Sequence, residues 1–326
     1  MDIEEIVALS VKHNVSDLHL CDGCPPRWRH QGRLETAPFE LPDIAALIDA
    51  QLNALQQRQW REQRQVDFAL TTASGRRLRA GAFARYGGAS LALRLLPQSC
   101  PLLDEIDAPA ALPELLGREN GLILVTGATG SGKSTTLAAM VEHLNQHAEA
   151  HILTLEDPIE FVHTSARSLI QQREIGQHCA SFNEGLRAAL REDPDVILLG
   201  ELRDSETIRM ALTAAETGHL VLATLHTRGA AQAVERLVDS FPAQEKEPVR
   251  SQLAGSLQAV LAQKLERDKQ GGRVALFELL VNTPAVANLI REGKTHQLPG
   301  VMQTGQQMGM QTFAQSRQQR VLQGWL

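Results

Sequence analysis

The sequence predicts an α/β protein built on a parallel sheet, preceded by a smaller mixed α+β domain. Three observations lead to this prediction. From Gly121 onward, apolar runs of strand length alternate with segments of helical periodicity, which is typical of a parallel sheet covered by helices. The first of these runs ends in a glycine-rich loop that opens a helix. Before residue 98 the pattern changes to short strands separated by glycine turns.

We predict that the N-terminal part of the chain, residues 1–97, forms the small α+β domain. Glycine turns and the Pro25-Pro26 pair divide it into short segments, and residues 27–33 are typical of a hairpin. The proline-rich residues 98–118 are interpreted as a linker that runs into a short helix. Helices are expected at 4–13, 44–55 and 56–63, and strands at 17–20, 67–70, 77–83 and 90–95.

We predict that the remainder of the chain, residues 119–326, forms the larger domain. Its alternation of strands and helices indicates a parallel sheet with helices on both faces. After Ser240 the pattern is mainly helical. Strands are expected at 121–126, 151–155, 195–199, 219–225 and 273–280.

Composition limits the classes of function that the chain can have. A length of 326 residues suits two domains, and 43% hydrophobic with 21% charged residues is typical of a globular protein. No apolar run approaches the ~20 residues of a membrane span, and the acidic N-terminus is no signal peptide. We therefore expect a cytoplasmic protein without a transmembrane segment. A net charge of −6 argues against nucleic acid as the main partner.

The chain has four cysteines, two of which are close together in the sequence. The pair Cys21-x-x-Cys24 could be half of a zinc site, but no second pair follows it. In a reducing compartment we expect free thiols and no structural disulfide.

The glycine-rich loop fits the pattern G-x-x-x-x-G-K-[ST], which wraps nucleotide phosphates. Its backbone N–H groups and the following helix N-terminus hold phosphate without a wall of charged side chains. Lys133 is expected to reach the β- and γ-phosphates, and the Ser134 hydroxyl to ligate Mg²⁺. The expected binding residues are Gly127, Ala128, Thr129, Gly130, Ser131, Gly132, Lys133, Ser134 and Thr135.

Two acidic segments follow predicted strands. Glu201 comes after an apolar strand and a glycine, which places it at the ligand-binding edge of the sheet, where it could hold Mg²⁺ through water. Asp193 and Asp195 precede that strand and are interpreted as turn and cap residues. The acidic turn 156–160 contains three carboxylates, which would repel one another unless a cation lay nearby; the alternative is a solvated acidic loop. Glu160 is its last carboxylate.

Two histidines, His219 and His226, flank another strand. Because their separation is odd, they would face opposite sides of that strand and form no obvious metal pair. His226 lies at the ligand-binding end, so it is the better candidate for sensing a γ-phosphate. A structural role is the alternative for each histidine.

Residues 72–97 contain arginines and no acid, on a chain whose net charge is negative. One use for such a segment is phosphate contact from outside the nucleotide domain, in the manner of an arginine supplied in trans. The alternative is a solvated basic face. The arginines are Arg76, Arg77, Arg79, Arg85 and Arg94.

Taken together, these segments resemble the PilT-type secretion ATPases, the retraction motors of type IV pili, over nearly the whole chain. Residues 16–20 (SDLHL) are similar to a family signature, and the loop 127–134 to its Walker A motif. Residues 154–160 resemble the aspartate box, 195–204 the Walker B motif, and 217–227 the histidine box.

The resemblance implies a PAS-like N-terminal domain and a RecA-like ATPase domain that uses ATP and Mg²⁺. It also implies a homo-hexameric ring that serves pilus or secretion machinery at the inner membrane. By position in the motifs, Glu160 would be the water-activating carboxylate and Glu201 the Walker B acid. His219 and His226 would be the box histidines, with His219 among the nucleotide-binding residues. Arg79 and Arg94 match arginines that approach the nucleotide.

The sequence departs from the family pattern at several places. Ala128 replaces a proline of the loop, and a family arginine falls on Gly87, where Arg85 is the nearest substitute. Ala287 stands where the retraction-associated segment usually has arginine, and the sequence ends at Leu326 without the usual charged tail. The tetracysteine zinc module of the assembly-type ATPases is absent, which favours the retraction branch.

Two functions follow from these observations. The first is a hexameric motor ATPase that acts on a pilus or secretion machine. The second is a nucleotide-binding regulatory or assembly subunit with weak hydrolysis, which the altered segment around Ala287 and the missing arginine would suit. A nucleic-acid motor is disfavoured by the negative charge and by the scarcity of aromatic stacking groups.

Overall fold

The computed structural model describes residues 1–326, and the chain divides into two compact units. Unit 1 comprises Met1–Ser99 together with Pro158–Val162. Unit 2 comprises Cys100–Asp157 and His163–Leu326. A short piece of the acidic turn therefore belongs to the N-terminal unit, although it lies between two strands of the other unit in the sequence. No helix has the length and apolarity needed to cross a membrane.

Unit 1 is an antiparallel six-stranded sheet with three helices. The strands are arranged in the order β3-β2-β1-β6-β5-β4. The strands are β1 (Val15–Cys21), β2 (Arg27–His30), β3 (Arg33–Thr36), β4 (Gln65–Thr71), β5 (Arg77–Arg85) and β6 (Gly88–Leu95), and the helices are α1 (Ile3–Lys12), α2 (Ile44–Gln51) and α3 (Ala54–Gln63).

Local signals in the sequence determine the ends of several elements in unit 1. Helix α1 begins after Asp2, whose carboxylate accepts the backbone N–H of Glu5, while the Glu5 side chain accepts the N–H of Asp2. Such a capping box stabilises a helix by about 1 kcal/mol. Gln31 and Gly32 both have positive φ between β2 and β3, which gives the tight turn that a two-residue hairpin requires. The predicted hairpin is therefore present.

Unit 2 contains a seven-stranded sheet in the order β13-β12-β7-β11-β10-β8-β9. Every neighbouring pair is parallel except β12 and β13. The strands are β7 (Gly121–Thr126), β8 (His151–Glu156), β9 (Leu169–Glu174), β10 (Val196–Leu199), β11 (Leu220–Leu225), β12 (Leu257–Arg267) and β13 (Arg273–Val281). The helices are α4 (Leu112–Leu116), α5 (Lys133–His147), α6 (Phe182–Ala189), α7 (Ser205–Glu216), α8 (Ala230–Asp239), α9 (Lys246–Ser256), α10 (Pro284–Arg291), α11 (Leu298–Thr304) and α12 (Phe313–Leu322).

The parallel sheet of unit 2 is buried on both faces. Leu122 and Leu124 of β7 pack in one hydrophobic cluster with helices α6 to α11. Ile123 and Val125, which alternate with them, pack in a second cluster with α4 and α5. Each such side chain contributes about 1.5–3 kcal/mol when fully buried. Burial on both faces explains why β7 reads as a continuous apolar run rather than as an alternating one.

Three elements differ from the sequence prediction. Strand β9 was not predicted, since its sequence, LIQQRE, is polar for a strand and lies at the sheet edge. Strand β12 was also missed, so the mainly helical region after Ser240 contains an antiparallel pair of strands, β12 and β13, and not one strand. The helix expected to continue to residue 55 ends at Gln51, because Asn53 caps α3 in a capping box and holds an extended backbone.

Candidate active site

The predicted phosphate loop lies between β7 and α5, at the carboxyl end of the strand. Gly130 and Gly132 have φ of +78° and +91°, a region that glycine enters without the steric cost of a Cβ. Helix α5 begins at Lys133 and runs for 15 residues, so its N-terminal N–H groups face the loop. Ser134 is exposed in the first helical turn. The local structure is therefore the strand, loop and helix that a phosphate-binding loop requires.

Lys133 folds back over the loop. Its side chain is mostly buried, and Nζ donates to the carbonyl oxygens of Gly127, at 2.8 Å, and Ala128, at 3.1 Å. Two backbone carbonyl oxygens therefore accept hydrogen bonds from the ammonium group of Lys133. A phosphate oxygen is a stronger, charged acceptor for the same donor, so the lysine is placed to exchange a carbonyl for a nucleotide.

The loop is braced by a residue that the sequence analysis did not identify. Gln263, on β12, donates from Nε2 to the carbonyl of Ser131 at 2.6 Å. Gln263 Oε1 and Ser131 Oγ are buried and lack hydrogen-bond partners. Buried polar atoms without partners are uncommon in folded proteins, and here they lie at the phosphate loop. The loop residues therefore fit a polar ligand. The sequence offered one signal, a glutamine inside an apolar run of strand length.

Three side chains from different elements meet beside the loop. Nδ1 of His226, which follows β11, lies 3.3 Å from Lys133 Nζ, and Nε2 lies 3.2 Å from Glu201 Oε1. An ammonium group only donates, so Nδ1 accepts and Nε2 carries the proton that is donated to Glu201. Arg203 holds the other carboxylate oxygen of Glu201 at 2.7 Å. The structure thus brings together the predicted Lys133, Glu201 and His226.

His219 lies at the opposite end of β11. Its Nδ1 is 3.1 Å from the backbone oxygen of Ala214. Six strand residues separate the two histidines, which corresponds to roughly 20 Å at the usual rise. The structure therefore does not bring His219 to the phosphate loop, in contrast to the expectation that this histidine binds nucleotide.

The three carboxylates of the acidic turn have different surroundings. Glu156 Oε1 accepts from Thr154 Oγ1 at 2.6 Å and from Gln172 Nε2 at 3.1 Å, so this carboxylate supports the end of β8. Asp157 is exposed and Glu160 is half-buried. Glu160 belongs to the piece of the turn that packs in unit 1, where the Arg77 guanidinium donates to the neighbouring carbonyl of Ile159 at 3.0 Å.

Arg79 and Arg94 are direct partners across strands β5 and β6. Arg79 is exposed, and Arg94 donates to Asp17 Oδ1 at 2.7 Å. Burial alone would raise the pKa of Asp17, but the hydrogen bonds from Arg94 and Ser16 hold that pKa below its ordinary value. Two neighbouring guanidinium groups with one carboxylate leave a net positive surface on this sheet, which suits an anion.

Arg85 is engaged within its own unit. Its guanidinium donates to the backbone oxygens of Asp22 and Tyr86 and to Ser90 Oγ. Because these groups use its donors, we do not propose Arg85 as a substitute for the family arginine that falls on Gly87.

A cavity of about 320 Å³ opens beside the loop within unit 2. Its walls come from the first turn of α5, from the segment that precedes α4, from β12 and β13, and from the residues after α12. Buried Arg320 of α12 braces one wall, because it donates to the carbonyl oxygen of Asp107 at 2.9 Å and pairs with its carboxylate at 3.1 Å. The lining includes Glu105, Asp107, Thr135, Arg273, Phe277 and Trp325.

Comparison with known proteins identifies the family. Residues 2–326 match the family described as type II/IV secretion system protein. The chain belongs to this family. It is 73% identical to the uncharacterized protein YggR of Escherichia coli K12 over the full length of both chains. It is 48% identical to the type IV pilus retraction ATPase PilT of Pseudomonas aeruginosa, over 96% of this chain and 92% of that one.

Solved structures agree with this family assignment. The crystal structure of the pilus retraction motor PilT with bound ADP aligns with a TM-score of 0.92 at 42% identity, over 100% of this chain and 94% of that chain. The ATPase DotB of Legionella pneumophila aligns with a TM-score of 0.87 at 30% identity, over 99% of this chain and 92% of that chain. The predicted α/β fold and the predicted family are confirmed. The chain is a PilT-like ATPase of the secretion family, with an antiparallel N-terminal sheet and a RecA-like parallel sheet.

Proposed function

We propose that this PilT-like ATPase is a motor that works on a type IV pilus or a related secretion filament, as a twitching and retraction ATPase does. The observation that carries the proposal is the cluster of Lys133, His226 and Glu201 at the end of a phosphate loop. The similarity to PilT proteins over nearly the whole chain supports the same conclusion. We further propose that six copies form a ring on the cytoplasmic side of the inner membrane.

The proposed reaction is in-line attack of water on the γ-phosphate of ATP. Lys133 binds the β- and γ-phosphates, and the loop N–H groups hold the rest of the chain of phosphates. Ser134 and, through water, Glu201 would hold the Mg²⁺ that neutralises charge on those phosphates. Hydroxyl and carboxylate oxygens are the ligands that Mg²⁺ prefers. The base and ribose would occupy the cavity lined by Trp325 and Phe277.

Glu160 is the proposed general base that orients the attacking water. Arg77 supports this role indirectly, because it fixes the backbone next to Glu160. His226 joins Lys133 to Glu201 and so is placed to register whether a γ-phosphate is present. Arg79 and Arg94 are proposed to contact phosphate in trans, from a neighbouring copy in the ring, and to stabilise the charge of the transferred group.

A steady-state ATPase assay on two variants of the acidic turn tests the proposal. Glu160→Gln should lower the rate by about 10²–10⁴-fold, the usual contribution of a general base. Asp157→Asn is the matched control, since Asp157 is exposed on the same turn, and it should stay within about twofold of the wild type. Light scattering of the same samples should report a ring. A Glu160→Gln variant that kept most of the activity would show that the role is assigned to the wrong residue.

The second candidate function is a nucleotide-binding regulatory or assembly subunit with weak hydrolysis. Ala287 favours it, because this residue lies in the core of unit 2 on α10, with only 7% of its surface exposed, at the position where the retraction segment usually has arginine. Fast turnover by a ring of the wild-type chain would exclude this second function. A slow rate that does not depend on Glu160 would favour it.

A further inference from the structure

Three potential metal ligands converge in unit 2, away from the phosphate loop. Cys100 follows unit 1 in the sequence, Glu142 lies on α5, and His163 follows the acidic turn. His163 Nδ1 is 3.3 Å from Cys100 Sγ and 3.1 Å from Glu142 Oε2, and all three ligand atoms lie within 4.8 Å of one another. The side chains of His163 and Glu142 are 4% and 16% exposed. The cluster is therefore compact and largely shielded from water.

One imidazole connects the other two groups of this cluster. Nδ1 of His163 lies within contact distance of both the Cys100 sulfur and the Glu142 carboxylate. A cation bound by the sulfur, the nitrogen and the oxygen satisfies all three atoms together.

The distances match a tetrahedral metal site. Bond lengths of ~2.3 Å for Zn–S and ~2.0–2.2 Å for Zn–N and Zn–O place S and N about 3.5 Å apart and N and O about 3.3 Å apart around a tetrahedral ion. The observed separations, 3.3 Å and 3.1 Å, need to widen only slightly. A thiolate, an imidazole and a carboxylate are also the ligand types that zinc uses in proteins.

The electrostatic environment favours a cation at this point. Glu142 lies in the cluster, and the negative charges of Glu142 and Glu156 both act on the Cys100 sulfur. A divalent cation bound at this point offsets that negative charge.

We propose that Cys100, Glu142 and His163 bind one divalent transition-metal ion of the zinc class, with water in the fourth position. On binding, the S–H bond of Cys100 breaks, its proton passes to solvent, and a sulfur–metal bond forms. The chain enters unit 2 twice, at Cys100 and at His163. The ion would link both of these residues to Glu142 on helix α5. His163 also lies three residues after Glu160, so the ion would anchor one end of the acidic turn.

Titration of the full-length, metal-free chain with Co²⁺ alone tests the proposal, because cobalt bound to a thiolate gives a sulfur-to-metal charge-transfer absorption. We expect that absorption to saturate at about one Co²⁺ per chain and to disappear on addition of Zn²⁺. Cys100→Ser should abolish the absorption and weaken Zn²⁺ affinity by on the order of 100-fold or more, since second-shell changes alone cost 10–100-fold. His163→Gln should weaken Zn²⁺ affinity to a similar degree.

Two control variants distinguish this site from the other thiols. Cys179→Ser removes another half-buried cysteine of unit 2, and the double change Cys21→Ser with Cys24→Ser removes the C-x-x-C pair. Both should keep the charge-transfer absorption. The wild-type spectrum decides the question even if His163→Gln folds poorly. Absence of the absorption in the wild type, or its persistence in Cys100→Ser, would overturn the proposal.

Discussion

The two ends of the parallel sheet in unit 2 carry the same types of residue in different surroundings. At the amino end, the Asp195 carboxylate accepts the backbone N–H of His151 at 2.8 Å, and His219 Nδ1 is bonded to the backbone of Ala214. At the carboxyl end, Glu201 and His226 contact each other, and His226 contacts Lys133. Backbone partners thus hold Asp195 and His219 at the first end, whereas the side chains of Lys133, His226 and Glu201 contact one another at the second.

This difference separates structural from functional polar residues without reference to any relative. Asp195 and His219 are bonded to backbone groups of the fold away from the phosphate loop, and we expect these partners to stay the same when a ligand binds. Side chains that face one another beside a phosphate loop can exchange partners with a ligand. The carboxyl edge of a parallel sheet is also where α/β proteins bind their ligands. Substitutions at the two ends of the sheet test whether the hydrogen-bond partner of a polar residue or its position at a sheet edge determines its role in ATP hydrolysis.

Among the residues at the two ends of the sheet, the largest effect is expected for Lys133→Ala. Removing the ammonium group that faces the phosphates should lower the steady-state rate of ATP hydrolysis by on the order of 10³-fold, the effect of losing one preorganised charge-stabilising group. Release of inorganic phosphate measures the rate. Lys294→Ala, which changes an exposed lysine paired with Glu292, should leave it unchanged. If the two variants lost activity equally, the assigned role of Lys133 would be refuted.

The acids at the two ends of β10 provide a matched pair. Glu201→Gln should reduce turnover by about 100-fold, since a neutral amide holds a metal shell poorly. Asp195→Asn should leave turnover within about twofold and cost at most about 1 kcal/mol of the free energy of unfolding, because the asparagine oxygen still accepts the N–H of His151. The ATPase assay and denaturant unfolding measure the two quantities. Loss of activity in Asp195→Asn with normal stability would remove the distinction between the ends.

Substitutions of the two histidines, at opposite ends of β11, are expected to change turnover less than those of Lys133 and Glu201. His226→Gln should lower turnover by about tenfold, which corresponds to one hydrogen bond to a charged group. His219→Gln, at the amino end of the same strand, should change turnover by less than about twofold. Single-turnover measurements of both variants would show whether the loss lies in the chemical step. Equal losses would mean that position along β11 does not determine the role.

Much of this comparison could be predicted from the sequence. The loop and its strand are visible because residues 121–134 combine a continuous apolar run with a fixed glycine pattern. Glu201 and His226 were found because each lies within two residues of the end of an apolar strand. Gln263 was missed because β12 was not recognised, and its contact with Ser131 depends on pairing with β7 across a long sequence separation. The engagement of Arg85 by its own turn is likewise a tertiary contact.

Substitution of Glu278 is expected to change ATP hydrolysis least. This residue lies at the carboxyl edge of the sheet but has a backbone hydrogen-bond partner, so it tests which of the two properties determines the role. Glu278 pairs with Ala262 of β12, and Ala262 pairs with Thr126 at the carboxyl end of β7. Glu278 is therefore at the carboxyl edge of the sheet, but it accepts the backbone N–H of Ala230 at 2.8 Å. Burial raises the pKa of Glu278 above its ordinary value of 4.5. Such a group stabilises the fold fully below the unfolded pKa, and this contribution is lost as the pH rises through the folded pKa.

Glu278→Gln should therefore keep turnover within about twofold. Its Tm should exceed that of the wild type at pH 8 by less than about 3 °C, and the difference should shrink as the pH falls toward 4.5. Thermal melts across this pH range, with the ATPase assay at neutral pH, measure both effects. A large loss of activity would mean that position at the edge matters more than the bonding partner.

The most direct test of the account is a crystal structure of the chain with Mg²⁺ and a non-hydrolysable ATP analogue. The account predicts that Lys133 Nζ leaves the carbonyls of Gly127 and Ala128 for the β- and γ-phosphates. It also predicts that Ser134 ligates the metal, while His219 and Asp195 keep their backbone partners. A nucleotide bound elsewhere, or a Lys133 that stays on the loop carbonyls with the analogue present, would contradict it.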